Sequence, residues 1–67
     1  MKIDYPATII RIRAELKLSQ TELSEVLGVS YTSVNRWENA KYEPTKSAKK
    51  RIEVLCEKHN IKVELVN

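Results

Sequence analysis

Apolar residues recur at helical spacing through most of the chain and change to alternation at its end. Ile9, Ile12 and Leu16 stand at i, i+3 and i+7, one face of a helix. Pro6 suits the first turn, where its missing N–H is no loss. A first helix is predicted over residues 6–17. Ser19-Gln20-Thr21-Glu22 fits a capping box, in which Ser19 and Glu22 satisfy each other's orphan backbone N–H groups. Leu18 and Leu23 stand at the two hydrophobic-staple positions around it. Leu23, Val26 and Leu27 are assigned inward, and Gly28 ends this second helix in a left-handed conformation.

A third start follows at once. Ser30 can cap it, and Val29 with Val34 repeats the staple spacing. The third helix is predicted over residues 31–39, with Ser30, Val34 and Trp37 on its inner face. Two such short helices are unstable alone and must pack on the first. Pro44 blocks continuation, and Thr45 caps a fourth helix over residues 46–59 with Ala48, Ile52, Leu55, Cys56 and His59 inward. "IKVELV", residues 61–66, alternates apolar and charged positions, a strand signal. It can pair with "MKI" at the start or with a second subunit. The fold class expected is all-α: about four helices plus a short C-terminal strand.

Composition narrows this. The sequence has 67 residues, a length that suits one small domain, residues 1–67. The single cysteine, Cys56, excludes an intrachain disulfide and fits a reducing, cytoplasmic compartment. No apolar run approaches the roughly 18 residues of a membrane helix, and no signal peptide is evident. Net charge is +3, from 12 Lys+Arg against 9 Asp+Glu. Lys41, Lys46, Lys49, Lys50 and Arg51 cluster around one acid, Glu43. Such a run is either a solvated face or a phosphate-facing patch.

The outer face of the third helix carries Thr32, Asn35, Arg36 and Asn39, with Tyr31 at its edge. It lacks the Glu and Lys that usually fill solvated helix positions. Arg can bond guanine through two donors, Asn can bond adenine, and Thr can touch a thymine methyl.

"SQTELSEVLGVSYTSVNRWENAKYEP" resembles the helix-turn-helix of the Cro/repressor (lambda-repressor-like) family of transcriptional regulators. Gln20, Ser24, Gly28, Val34 and Trp37 stand at the positions of that pattern, and the resemblance covers about residues 9–55. It implies a small helical bundle whose second motif helix enters the major groove of double-stranded DNA. It also implies a regulator, by family habit a repressor, bound as a homodimer to a palindromic operator. Gln20, Tyr31, Thr32 and Arg36 then resemble groove-facing residues, with Asn35 assisting. Ser19, Asn39 and Lys41 resemble phosphate contacts, and Lys46, Lys49 and Lys50 extend them. Arg13 and Glu38 match a family ion pair, which could also steer Arg13 toward phosphate.

Three features depart from the family pattern. Ser24 replaces the common alanine. Ala40 replaces the usual glycine after Glu38-Asn39; alanine there costs about 1 kcal/mol or a little more if the position needs a positive φ, and otherwise Asn39 turns left-handed or the helix runs on by a residue. A strand-like tail stands where the family has a fifth helix.

Cys56 and His59 make only half a metal site, and two ligands do not hold zinc. Both lie on the predicted inward stripe, which favours packing. No nucleophile-base pair or cofactor loop is recognisable, so the expectation is a non-catalytic protein without cofactor. The alternative is an antitoxin or controller-type chain whose main partner is another protein. RNA binding is disfavoured, because no aromatic stacking platform is evident.

Overall fold

The computed structural model describes residues 2–66, with Met1 of the "MKI" segment outside them. Four helices carry the fold: α1 Tyr5–Leu16, α2 Gln20–Leu27, α3 Tyr31–Glu38 and α4 Lys46–His59. Two short strands, β1 Lys2–Ile3 and β2 Leu65–Val66, pair antiparallel, Lys2 opposite Val66 and Ile3 opposite Leu65. The tail thus pairs with the N-terminal segment of its own chain. Its strand is shorter than the six residues the alternation suggests, because residues 61–64 serve other contacts. Ile61 closes the core. Glu64 donates its N–H to the Thr8 hydroxyl (3.0 Å) and accepts from the Asp4 N–H (2.8 Å).

The helix starts follow the cap chemistry. The Asp4 carboxylate accepts from Ala7 N–H, and Pro6 sits within the first turn. Ser19 and Glu22 form the complete capping box, and Ser30 and Thr45 cap α3 and α4. The inward faces of all four helices meet in one core: Ile9, Ile12, Leu23, Leu27, Val34, Trp37, Ala48, Ile52, Leu55 and Cys56. Ser24 fits among them because its buried hydroxyl donates to the Thr21 carbonyl (2.6 Å).

Three inward assignments need correction. Val26 is 53% exposed. At about 100° per residue it lies roughly 110° from the centre of the Leu23, Ser24 and Leu27 stripe. His59 is exposed although it continues the α4 stripe, because the chain reverses at Asn60 (φ 56°) and Ile61 takes the buried place. Ser30 is exposed and acts as a cap rather than a core contact.

Candidate nucleic-acid interface

The depth and orientation of α3 are set from behind. Val34 is fully buried and Trp37 nearly so. Burial of two such side chains contributes several kcal/mol, about 1.5–3 each. On the opposite side Tyr31, Thr32, Arg36 and Asn39 are exposed, and Asn35 is half-buried. The outer-face assignment holds for Tyr31, Thr32 and Arg36, whereas Asn35 turns partly inward and Asn39 is the cap of an α3 that ends at Glu38.

The far end of α3 and the turn before it are each fastened to another helix. At the far end, Arg13 of α1 grips Glu38 through two parallel bonds, Nε to Oε2 at 2.7 Å and Nη2 to Oε1 at 3.0 Å. The Glu38 side chain is 8% exposed and that of Arg13 27%. Burial alone would raise the Glu38 pKa. The bonds from Arg13 and Gln20 and the Arg13 charge outweigh it and hold the carboxyl below its ordinary value. At the turn before α3, Arg51 of α4 donates Nη1 to the carbonyls of Leu27 (2.9 Å) and Gly28 (3.3 Å). Arg51 therefore leaves the basic run in which the sequence placed it and neutralises the C-terminal carbonyls of α2. No sequence spacing marks this contact, which joins residues 24 apart to a backbone acceptor.

A polar network continues from Glu38. Gln20 donates Nε2 to Glu38 Oε1 (3.0 Å) and accepts from Asn35 Nδ2 (3.2 Å). Asn39 donates Nδ2 to the Asn35 carbonyl (2.9 Å) and also lies 3.3 Å from Asn35 Oδ1. Sequence reasoning named all of these residues but not their bonds to one another. Each amide nitrogen carries two hydrogens, and the bonds to Glu38 and Gln20 use only one on Gln20 and one on Asn35. Donor capacity remains on both for an outside acceptor.

The remaining candidates separate by what they already hold. Ser19 uses its oxygen as acceptor in the capping box, which leaves its O–H free to donate. Lys41, Lys46 and Lys50 are exposed and, among the described residues, make no ion pair. Lys49 differs, with Glu43 at 2.8 Å and the Tyr5 ring 5.3 Å from its Nζ. Arg36 has no carboxylate partner among the described residues, and its guanidinium carbon lies 5.1 Å from the centre of the Tyr42 ring.

A short helix capped at Ser19, a left-handed glycine turn, and a second helix packed behind and polar in front make a helix-turn-helix. No helix among the described residues is long and apolar enough to cross a membrane. Comparison with curated proteins and with solved structures returns no match. A family model described as helix-turn-helix, of the Cro/repressor (XRE) type, matches residues 9–59. The chain belongs to that family of DNA-binding transcriptional regulators.

Proposed function

We propose that this chain is a single-domain, non-catalytic, cytoplasmic repressor that reads double-stranded DNA by laying α3 in the major groove. The observation that carries the reading is the outer face of α3, where exposed Arg36, without a carboxylate partner among the described residues, stands opposite a buried Val34 and Trp37. Arg36 bonds the O6 and N7 of a guanine, the commonest specific contact in that groove. Tyr31, Thr32, Asn35 and Gln20 contact neighbouring bases. Ser19, Asn39, Lys41, Lys46 and Lys50 hold phosphates. Arg13 and Lys49 join them with the N–H donors that their ion pairs with Glu38 and Glu43 leave over.

One such motif reads only a few base pairs, so two copies on half-sites about 34–36 Å apart complete the operator. The exposed apolar residues Leu65, Val66 and Val54 suit the contact between the copies. Selection of binding sites from random duplex DNA tests the reading. The expected result is a palindromic consensus with one guanine per half-site that depends on Arg36. Arg36→Ala should cost about 1–3 kcal/mol at that consensus and relax one position per half-site. Lys at this place rescues only in part, because it lacks the planar fork. A uniform loss across all duplexes would assign Arg36 to phosphate instead. Retention of a protein partner with no selected duplex would favour the controller or antitoxin reading.

A further inference from the structure

Tyr42 lies outside the helix-turn-helix and is 61% exposed, so core packing does not account for it. Its ring stands against Arg36, the one arginine that, among the described residues, makes no hydrogen bond through its guanidinium. Arg11 bonds Glu15 and Glu64, Arg13 bonds Glu38, and Arg51 bonds two carbonyls. Among the described residues Arg36 donates to none of these kinds of partner, yet its guanidinium carbon is 5.1 Å from the Tyr42 centroid. That distance is within the roughly 6 Å over which a ring quadrupole attracts a cation.

The turn after α3 makes this contact a property of Arg36's own backbone. Lys41 donates its N–H to the Arg36 carbonyl (3.0 Å), and Ala40 donates to the Trp37 carbonyl (3.1 Å). Ala40 is left-handed, with φ 58°. These bonds reverse the chain so that residue 42 returns beside residue 36. A free arginine side chain loses rotamer entropy when a contact fixes it. A ring against the guanidinium removes part of that freedom beforehand. It engages the π system and leaves the N–H donors available for a base edge.

We propose that Tyr42 is a positioning residue for Arg36, holding the guanidinium ready to bond guanine and so sharpening discrimination at that one base pair. This rests on the base-reading role given to Arg36 above. The test compares Tyr42→Leu and Tyr42→Phe, each with and without Arg36→Ala, on the selected operator and on its variant at the guanine that Arg36 governs. Tyr42→Leu should reduce discrimination between those duplexes by roughly three- to ten-fold, within the range of a cation–π contact. Tyr42→Phe should retain discrimination, and Tyr42→Leu should add nothing in the Arg36→Ala background. An equal loss on both duplexes, or tighter operator binding by Tyr42→Leu, would overturn the proposal. The first would make Tyr42 a general DNA contact, and the second a brake on Arg36. Proton NMR of the free protein supplies an independent readout. Ring-current displacement of the Arg36 δ-methylene signals should persist in Tyr42→Phe and vanish in Tyr42→Leu, and its absence from the parent protein would also overturn the proposal. If the displacement is present but Arg36→Ala leaves discrimination unchanged, the base-reading role of Arg36 has failed, and the positioning role falls with it.

Discussion

Arg13 holds the C-terminal end of α3 and Arg51 holds the turn between α2 and α3, and the two attachments differ in depth and in kind. Arg13 meets a carboxylate that is almost buried, through a two-bond fork at 2.7 and 3.0 Å. Exposed Arg51 meets neutral backbone carbonyls across the turn that precedes the helix. A buried charge left without its partner is costly, whereas an exposed cation beside a helix C-terminus contributes about 0.3–1 kcal/mol. The end of α3 nearest Arg36 is therefore fixed by charge. The turn before α3 is fixed mainly by backbone conformation at Gly28, and Arg51 adds a smaller increment.

Removal of the charge at the far end should have the largest effect. Glu38→Ala leaves Gln20 without its acceptor and Arg13 with only the Leu18 carbonyl (3.3 Å), and should cost about 2–4 kcal/mol. For a domain of this size each kcal/mol lowers Tm by about 4–8 °C. Acid should act the same way. The Glu38 pKa is lowered in the folded state. Its contribution is therefore complete above the unfolded carboxylate value of about 4.3 and is lost as pH falls through the lower folded value. Thermal melts between pH 7 and pH 3 should show a smaller acid loss in Glu38→Gln than in the parent. Equal acid losses in both would mean that the pair contributes little at either pH.

The turn before α3 should respond to backbone geometry. Gly28 has φ 70°, and a Cβ there would stand 3.1 Å from Arg51 Nη1. Gly28→Ala should cost about 1–2 kcal/mol, the penalty of a left-handed L-residue. In an Arg51→Met background most of that cost should persist, because backbone strain and not the guanidinium contact dominates. Denaturant titration of the two single variants and the double variant measures the coupling. If the cost disappears without Arg51, the contact and not the conformation governs this turn.

The same contrast explains what the sequence could reveal. Ser19 and Glu22, Gly28, Pro44 and Thr45 act within a few residues, so their spacing alone locates helix ends. The pairing of Arg13 with Glu38 was accessible through the family pattern. Arg51 on Gly28 was not, since its acceptor is backbone and carries no side-chain signature. Val26 and His59 were misassigned for different physical reasons. Val26 lies off the buried stripe of a two-turn helix, and His59 lies on a stripe that Ile61 terminates. At the interface the outer face of α3 was legible from residue type. The ties among Gln20, Asn35 and Glu38, and the ring beside Arg36, needed the three-dimensional fold.

The smallest expected effect is a gain. The turn after α3 has the same pair of backbone bonds as the turn after α2. Lys41 donates to Arg36 and Ala40 to Trp37, as Val29 donates to Ser24 and Gly28 to Glu25. The left-handed place is occupied by glycine in the first turn and by Ala40 in the second, while Asn39 stays at φ −88°. A left-handed alanine costs about 1–2 kcal/mol. Glycine removes that strain but adds unfolded-state freedom worth about 0.4–1 kcal/mol. Ala40→Gly should therefore stabilise the domain by about 0.5–1 kcal/mol and raise Tm by a few degrees, roughly 2–8 °C. Because glycine permits the same φ, the bond from Lys41 to Arg36 persists, and discrimination at the guanine should not change. A fall in Tm would mean that Ala40 is not left-handed in solution and that α3 runs on through Asn39. The Tyr42 ring would then not return beside Arg36, and discrimination by the parent protein should be insensitive to Tyr42→Leu.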